Sequence, residues 1–503
     1  MLRNWYLTIV LERTAGVALH LQLVQAIIQE IQRGRLLPGA ALPGSRTIAD
    51  ALSLNRKTVV QAYDELLAQG WIETQARRGA FVSARLPAPT IKKIDKKAAP
   101  IPDSFVKSLP PNGLSAFLES IAEKPGAIRF SDGVPDARLV PFDVLSRAYR
   151  RALLHSARAN RLAYDDPRGN LLLRDAIADM LRAERGMSVT NTQICVVRGS
   201  QMGIYLSARL LAMQKMPVND AASGDGCVVM EDLGYPPARE AFASFGIRIE
   251  YIAQDGAGMN LDELEILCRR RKVSAVYTTP HHQFPTTVML SVERRIRLLE
   301  LARRYDFLII EDDYDHEFHF SHTPMLPLAS MDTDGRVIHI GSLSKVLAPG
   351  LRLGYIAAPE MVINRCMNEI MLIDRQGNAL TELAVAELMR TGEIKRHVRR
   401  ALKIYKERRD YAVQRVSELM PSATFTIPAG GLALWLALDP RMDMQRLQRD
   451  ALSQGVAILP GQLFSGTGRA IPALRLGYAS LNQQELESGL AALVAAMQQQ
   501  FPV

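Results

Sequence analysis

The lysine at position 345 stands in a segment suited to covalent chemistry with a carbonyl compound. The segment SLSK, residues 342–345, directly follows the β-branched run Val337 to Ile340. A lysine amine at the mouth of a parallel sheet can form a Schiff base with an aldehyde cofactor. The hydroxyl of Ser342 and the guanidinium of Arg352 can donate hydrogen bonds to a phosphate. One such segment is also typical of a surface lysine, so the motifs that accompany it decide its interpretation.

A carboxylate and a tyrosine follow an earlier run of the same kind. The run Phe307 to Ile310 ends in the sequence EDDY, which contains Asp312 and Tyr314. A carboxylate at the C-terminal end of a strand can pair with a protonated pyridine nitrogen, which makes the ring an electron sink. Tyr314 can reach a phenolic oxygen on the same ring. A helix cap or a salt bridge in a loop is the alternative role for Asp312.

Two further motifs follow strand-like runs and can bind the rest of such a cofactor. Gly199, Ser200 and Gln201 come after the run Ile194 to Val197 and before a helical stretch. Glycine permits close approach of a phosphate, and the start of a helix offers it free N–H groups. Tyr235, in the sequence EDLGYP, can stack on a ring, although a tyrosine packed in a loop is the commoner case.

Short β-branched runs alternate with helix-length segments between residues 194 and 357. Seven runs predict an α/β fold with a mainly parallel sheet that helices cover on both faces. The last two runs are too close for a crossover helix, so one is expected to be an antiparallel or bent neighbour. Two later strand-like patches predict a smaller C-terminal α/β subdomain. The seven runs are Ile194 to Val197, Cys227 to Met230, Ile247 to Ile252, Ala275 to Thr279, Phe307 to Ile310, Val337 to Ile340 and Leu353 to Ala357, and the two patches are Leu432 to Leu436 and Leu474 to Tyr478.

Together these motifs resemble the fold type I aminotransferases, over a match that runs from about Asp132 to the C-terminus. The sequence YDDPRG, which begins at Tyr164, also fits this resemblance. The sequence HQFPTT fits as well, with Thr287 in place of the usual glycine.

The resemblance implies pyridoxal 5'-phosphate as the cofactor, held as an internal aldimine at Lys345. It implies that Asp312 pairs with the pyridine nitrogen, that Tyr314 contacts O3', and that Tyr235 stacks on the ring. Tyr164 is implied to reach the phosphate bound by the partner subunit. The residues placed around the phosphate of the same subunit are Gly199, Ser200, Gln201, Ser342 and Arg352.

An arginine near the C-terminus stands inside an apolar strand. The sequence LRLGY contains Arg475. A charge there is costly unless it is paired. In aminotransferases the matching arginine holds a substrate carboxylate, so the resemblance implies that Arg475 binds an effector carboxylate. A structural salt bridge with an Asp or Glu is the alternative.

The N-terminal region predicts a winged helix-turn-helix. Residues 17–33 carry the apolar stripe of an amphipathic helix that ends at Gly34. A second helix is expected to begin at Ser45 as its N-cap, and a third at Asn55, with only a tight turn between them. The third helix is expected to run through Val59, Val60, Tyr63, Leu66 and Leu67 to Gly70, and residues 71–82 predict a two-stranded wing.

In a winged helix-turn-helix the third helix lies in the major groove. We therefore expect DNA contacts from the starts of the second and third helices and from the basic wing turn, although simple caps and solvated charges are alternatives for single residues. The expected contacts are Ser45, Arg46, Asn55, Arg56, Thr58, Arg77, Arg78 and Gly79.

The segment LPGSRTIADALSLNRKTVVQAYDELLAQGWIETQARRGAFV resembles the GntR family of winged-helix regulators. The order of this segment before the aminotransferase-like region resembles the MocR subfamily. The resemblance implies a transcription regulator and DNA contacts from Arg46, Arg56, Thr58 and Gly79. Arg77 stands where the family commonly has the first of two wing glycines.

The 503-residue length predicts several domains. We expect a winged helix-turn-helix at 1–84, a linker at 85–126, and an aminotransferase-like domain at 127–503, with a large part at about 150–360 and a small part at about 380–503. Residues 1–85 hold ten Lys and Arg against six Asp and Glu, which suits nucleic acid. The linker has seven prolines and a lysine cluster, which either form a solvated tether or also touch phosphate.

Four scattered cysteines indicate neither a disulfide framework nor a metal site, and a reducing cytoplasm fits them. No run of about twenty apolar residues supports a membrane span.

The leading hypothesis is a homodimeric regulator that senses pyridoxal phosphate or an amino-acid-like effector, with an exchange of halves between subunits as one arrangement. A working aminotransferase with an accessory N-terminal domain is the alternative. A regulator that uses the fold only to dimerise is disfavoured because the cofactor residues are complete.

Overall fold

The computed structural model describes residues 9, 11–12, 16–75, 78–87, 114–122, 124–130, 133–158, 163–213, 226–320 and 325–501. The chain divides into two compact units, Met1–Pro111 and Asn112–Val503. Most of the expected linker 85–126 lies outside the described residues, as do Arg77 and Asp132. The expected domain limits therefore stay a prediction.

The first unit is a winged helix-turn-helix, as the sequence predicts. Its helices are α1 Leu19–Gln32, α2 Ser45–Ala51 and α3 Arg56–Ala68, and its strands are β1 Ile72–Gln75 and β2 Gly79–Val82. The two strands pair in antiparallel register, with Ile72 opposite Val82. The apolar stripes of all three helices meet in one buried core, which includes Leu23, Ile27, Ile48, Val59 and Leu66.

One detail of the first unit differs from the expectation. Gly44, not Ser45, is the N-cap of α2, because Gly44 is extended and its carbonyl already accepts from the N–H of Ile48 at 3.2 Å. The hydroxyl of Ser45 lies 3.5 Å from Nε of Arg56 instead. On α3, Val60 and Leu67 are 37% and 42% exposed because they lie beside the buried stripe and not within it.

The second unit contains the remaining elements. Its helices are α4 Ser115–Ile121, α5 Phe142–Arg158, α6 Leu171–Arg185, α7 Ser200–Met213, α8 Pro236–Ala243, α9 Leu261–Arg270, α10 Val292–Tyr305, α11 Leu328–Met331, α12 Glu360–Ile373, α13 Ala379–Arg390, α14 Glu393–Leu419, α15 Met444–Ser453 and α16 Gln483–Gln498. Its strands are β3 Ile128–Arg129, β4 Ile194–Val197, β5 Cys227–Glu231, β6 Arg248–Ile252, β7 Gln254–Asp255, β8 Gly258–Met259, β9 Val273–Thr278, β10 Leu308–Asp313, β11 Val337–Ser342, β12 Gly354–Ala357, β13 Ala433–Ala437, β14 Val456–Ala457, β15 Leu459–Pro460 and β16 Ala473–Gly477.

A seven-stranded sheet forms the centre of this unit, in the order β4-β12-β11-β10-β9-β5-β6. The neighbours from β11 to β6 pair in parallel, and β12 is antiparallel to both β11 and β4. The expectation of one antiparallel neighbour is therefore confirmed. Successive residues of a strand face opposite sides of the sheet, so Val228 and Val229 join two different buried clusters. Both faces are covered by helices, which explains why the strands are almost wholly apolar.

The smaller C-terminal subdomain is built on a second sheet, with the order β13-β16-β15. All pairs in this sheet are antiparallel. Its inner face and helices α14, α15 and α16 share one apolar core, which includes Tyr405, Leu434, Leu447 and Leu490.

Among the described residues, no helix has the length and apolar composition needed to cross a bilayer.

The strand that leads to Lys345 is closely approached by a tyrosine ring near its C-terminal end. Gly341 of β11 stands opposite Tyr355 of β12, and a Cβ at Gly341 would lie 2.1 Å from Cζ of Tyr355. The tyrosine ring therefore lies directly on the backbone of β11, one residue before Ser342. Only glycine leaves room for this contact.

Replacing Gly341 with alanine is expected to destabilise the second unit by about 1 to 3 kcal/mol, since the added methyl must displace a buried ring. The measurement is the urea midpoint of unfolding. Gly256 is the matched control, because its Cβ would meet nothing within 4 Å. Equal midpoints for Gly341→Ala and Gly256→Ala would contradict this packing of Tyr355 on β11.

Candidate functional site

Lys345 lies where the parallel strands end. β10 and β11 pair with Asp312 opposite Ile340, so the turn that carries Lys345 begins at the same edge of the sheet as Tyr314. The Nζ of Lys345 donates to the carbonyl of Gly133 at 3.2 Å and lies 4.4 Å from the centroid of the Tyr314 ring. The structure thus brings together residues that are far apart in sequence.

Asp312 is buried and only partly paired. Its Oδ2 accepts a 2.8 Å hydrogen bond from the hydroxyl of Tyr277, whereas its buried Oδ1 has no hydrogen-bond partner among the described residues. Burial raises the pKa of Asp312 from its usual 3.8 to about 7, against the lowering effects of Tyr277 and the Lys345 charge. The free oxygen is suited to accept a hydrogen bond from a ligand. Sequence reasoning missed Tyr277, which belongs to β9 and carries no motif.

The next residue along β10 has the opposite electrostatic behaviour. Asp313 is buried on the other face of the sheet and pairs with Arg185 of α6 at 2.8 Å. Burial alone would raise the pKa of Asp313, but the charges of His316 and Arg185 hold it well below its usual value. The pKa values of two adjacent carboxyl groups are therefore shifted in opposite directions. This pairing was not foreseen, because Arg185 looks like an ordinary residue at the end of a helix.

Tyr314 has its hydroxyl engaged within the protein. The hydroxyl donates to the carbonyl of His282 at 3.0 Å, and the side chain is buried. The ring of Tyr314 also lies 6.1 Å from that of Phe284. The residue expected at O3' therefore lies beside Lys345.

A small cradle is formed where β4 meets α7. Gly199 has a φ of +76° and α7 begins at Ser200, so free N–H groups of the first helical turn face outward. Arg352 donates to the carbonyl of Arg198 at 3.0 Å, and a Cβ at Gly199 would lie 3.2 Å from Nη2 of Arg352. A glycine and a guanidinium beside a helix start are suited to a dianion.

Ser342 and Gln201 border the same cradle. Ser342 ends β11 opposite Gly354, which in turn pairs with Val197 just before the cradle. Gln201 donates to the carbonyl of Pro237 at 3.0 Å, and its buried Oε1 has no hydrogen-bond partner among the described residues. The structure therefore groups the residues expected at the phosphate.

A group of aromatic rings adjoins Tyr314, whose ring lies next to that of Phe284. The half-buried ring of Tyr235 lies 5.1 Å from that of Phe284 and 6.4 Å from that of Phe117, in edge-to-face contacts. Phe117 belongs to α4, which falls within the expected linker 85–126. Sequence reasoning missed Phe117, because an isolated phenylalanine gives no motif, and it noted Phe284 only as part of HQFPTT, without a role.

Arg475 is 1% exposed and points into the same region. Its Nη1 donates to the carbonyl of Pro285 at 2.6 Å, and its guanidinium lies 4.3 Å from the centroid of Phe284. A Cβ at Gly133, which has a φ of +95°, would lie 3.1 Å from Nη2 of Arg475. Since Lys345 contacts the carbonyl of Gly133, the amine and the guanidinium flank one glycine.

Tyr164 lies at the surface of the unit. Its side chain is 73% exposed, and the guanidinium of Arg375 lies 3.8 Å from the centroid of its ring.

No group of three or more His, Cys, Asp or Glu suited to a metal ion exists among the described residues, and the four cysteines are free.

Most of the expected contact residues that the structure describes lie at the surface of the first unit. Arg46, Asn55 and Arg56 are exposed, Thr58 is half-buried, and Asn55 caps α3 by accepting from the N–H of Lys57 at 2.9 Å. In the wing, Gly79 has a φ of +102°, and the guanidinium of Arg78 lies 5.4 Å from the ring of Phe81.

The fold and the site define a winged-helix unit joined in one chain to a unit of aminotransferase fold. The family model for aminotransferase class I and II matches residues 127–493, and that for bacterial regulatory proteins of the gntR family matches residues 19–82. The chain is similar to YisV of Bacillus subtilis, an uncharacterized HTH-type transcriptional regulator, with 30% identity over 489 residues that cover 95% of this chain and 96% of YisV.

The protein MocR of Rhizobium meliloti, a probable rhizopine catabolism regulatory protein, is 29% identical over 97% of this chain and 95% of its own. The crystal structure of a multiple substrate aminotransferase from Thermococcus profundus matches with 27% identity and a TM-score of 0.70, over 79% of this chain and 98% of that enzyme. The chain belongs to the MocR-type regulators of the gntR family, in which an aminotransferase class I and II domain follows the DNA-binding region.

The pKa of Asp312 generates a prediction about stability. Because the folded-state pKa of about 7 exceeds the usual 3.8, the folded protein binds a proton that the unfolded chain has lost between those pH values. Stability contributed by this proton is present below pH 4 and is lost as the pH rises through 7. In protein prepared without added cofactor, Asp312→Asn should therefore gain stability relative to the wild type from pH 4 to pH 8, by about 4 kcal/mol at most.

Thermal unfolding at both pH values measures this difference. Tyr277→Phe removes the donor to Oδ2 of Asp312 and should therefore raise the pH range over which the stability contributed by the Asp312 proton is lost. A constant difference between Asp312→Asn and the wild type across the range would contradict the raised pKa.

Proposed function

We propose that this protein is a transcription regulator that depends on pyridoxal 5'-phosphate and senses either that cofactor or an amino-acid-like effector through the amine of Lys345. The observation that carries the proposal is the grouping of Lys345, the free Oδ1 of Asp312 and the Gly199 cradle at one edge of the sheet. This grouping occurs in a chain that also has a gntR-type DNA-binding region, which implies DNA as a partner.

The residues of the site fit the cofactor. Pyridoxal phosphate supplies an aldehyde that bonds to an amine and a ring that withdraws electrons. The buried Oδ1 of Asp312 is free to accept from a ring nitrogen, and Tyr235 stands where it can stack. Arg352, Ser342 and the first turn of α7 would hold the phosphate. Lys345 would hold the cofactor covalently.

Arg475 is proposed to bind the carboxylate of an effector. Its guanidinium and the Lys345 amine flank Gly133, so one small zwitterion can place its amino group at the lysine and its carboxylate at the arginine. A buried guanidinium makes strong charge-assisted hydrogen bonds to a carboxylate. Pyridoxal phosphate itself is the other candidate signal, because its binding alone would order the same residues.

A working aminotransferase is the second candidate function. The presence of Lys345, Asp312 and Arg475 in one chain favours an aminotransferase, since transamination uses a lysine, a carboxylate and a carboxylate-binding arginine. A sensor instead requires the bound state to persist long enough to shift a conformational equilibrium. We propose that turnover is slow or absent, so that the protein is a regulator and not an enzyme.

Contacts to DNA and to a second subunit complete the proposal. DNA contacts are assigned to residues at the starts of α2 and α3 and in the wing. The exposure of Tyr164 supports a homodimer in which this ring completes the phosphate site of the neighbouring subunit. A dimer would also present two DNA-binding units to paired half-sites. The DNA contacts proposed are Ser45, Arg46, Asn55, Arg56, Thr58, Arg77, Arg78 and Gly79.

The covalent role of Lys345 can be tested by mass spectrometry. Borohydride treatment of the purified protein loaded with pyridoxal phosphate should fix the cofactor onto the peptide that contains Lys345, because only a Schiff base becomes a stable amine. Lys345→Ala should lose this adduct, and Lys395→Ala, which changes a surface lysine, should keep it. Recovery of the adduct on another lysine would show that the assignment is wrong.

The role of Arg475 can be tested with a panel of amino acids. We expect one class to change both the visible absorbance of the bound cofactor and the DNA affinity, with little product formed from an added keto acid. Arg475→Ala should weaken the response by about 2 kcal/mol, or about thirtyfold, because a charge-assisted hydrogen bond is lost. Arg441→Ala, at an exposed arginine of the same subdomain, should leave it unchanged.

Multiple turnover without any effect on DNA affinity would favour the enzyme. If Arg475→Ala responds to the same amino acid with unaltered affinity, the carboxylate role fails and pyridoxal phosphate becomes the better candidate signal.

A further inference from the structure

Helix α3 of the first unit exposes the aliphatic side chain of Val60 beside charged neighbours. Val59, Ala62 and Leu66 are fully buried in the core of the unit, whereas Val60 is 37% exposed. Val60 is not among the side chains that pack on this core in the part of the chain that the structure describes. The exposure leaves its methyl groups available for contact.

The neighbours of Val60 indicate what it faces. Residues four apart lie on the same side of a helix, so Val60 stands one turn after Arg56, which is exposed. Lys57, also exposed, precedes Val60 by three residues and lies on its other side. Two cations beside an apolar side chain complement a polyanion better than they complement an apolar protein surface.

We propose that Val60 contacts the 5-methyl group of a thymine in the major groove. Valine has no hydrogen-bond donor or acceptor beyond its backbone, so it can complement only an apolar part of a base edge. Among the four bases of DNA, thymine alone presents a methyl group in the major groove. The proposal rests on the DNA-binding role proposed above and adds a determinant of sequence specificity to it.

The position of this thymine follows from helix geometry. One turn from Arg56 to Val60 advances about 6 Å along the axis, and successive base pairs are spaced by about 3.4 Å. A recognition helix in the major groove therefore places Val60 within a few base pairs of the nucleotide that Arg56 contacts. An arginine and an aliphatic side chain at this spacing can read two positions of one half-site.

The experiment first identifies a binding sequence for the full-length protein loaded with pyridoxal phosphate, by selection from random duplex DNA. Each thymine of the selected half-site is then replaced singly by deoxyuridine, which removes the methyl group and keeps the base pair. The affinity of the wild type and of Val60→Ala for each duplex gives a double-mutant cycle. Val60→Ala is expected to fold, since alanine favours helix and the site is exposed.

At one thymine of each half-site, the deoxyuridine duplex should bind the wild type about fourfold more weakly, because a buried methyl contact is lost. Val60→Ala should bind the thymine duplex and the deoxyuridine duplex with equal affinity. Both affinities should be about fourfold weaker than that of the wild type for the thymine duplex. Its dependence on salt should match that of the wild type, because no phosphate contact changes. Arg56→Ala should weaken binding while keeping the preference for thymine at the position that Val60 contacts.

Leu67→Ala is the matched control, since Leu67 is an exposed aliphatic residue of the same helix, two turns further on. This variant should keep the full response to deoxyuridine. A methyl effect of equal size in Val60→Ala and the wild type, or no effect at any thymine, would overturn the proposal. Loss of the response in Leu67→Ala as well would also overturn it. Failure to select any sequence would overturn the DNA-binding role itself.

Discussion

The parallel pairing of β9, β10 and β11 is the constraint on which the rest of the site depends. Because parallel strands end at one edge, Asp312 and the Lys345 turn come close without any local sequence relation. Tyr277 stands opposite Ile310, and side chains two residues apart in a strand share a face. Its hydroxyl therefore meets Asp312 at the next position on that face. A slip of one residue in this register would turn Asp312 to the opposite side of the sheet.

The same register places two adjacent carboxyl groups on opposite faces of the sheet. Asp312 faces the Lys345 side, where burial raises its pKa to about 7 despite the hydrogen bond from Tyr277. Asp313 faces the other side, where Arg185 and His316 keep it charged. A buried carboxyl oxygen without a partner is costly, and each such atom in a folded protein needs a reason. A ligand that donates to Oδ1 would remove this cost and would therefore bind more tightly to the folded unit than to any state that exposes Asp312.

The sequence predicted those parts of the fold whose residues have a local signature. All seven strands of the large sheet were found within a few residues of their ends, because buried parallel strands are β-branched on both faces. The residues grouped around Lys345 were found because strand ends followed by Gly, Ser, Asp or Lys form short motifs. Tyr277, Phe117 and Arg185 were missed, since each acts through a neighbour that is distant in sequence. Helix periodicity predicted that α3 runs through Val60 but did not decide its exposure, because Val60 lies at the margin of the buried stripe.

A sensor and an enzyme can share this site and differ only in how the energy of binding is used. An enzyme must stabilise the transition state more than the bound reactant, whereas a sensor must bind one conformation of the protein more tightly than another. Arg475 and Lys345 both contact Gly133, whose φ of +95° is open to glycine and strained for other residues. An effector that engages the arginine and the lysine together would act on the backbone at this glycine. Its binding energy can then be used to change the conformation of the adjoining segment, and energy used in this way is not available to lower a chemical barrier.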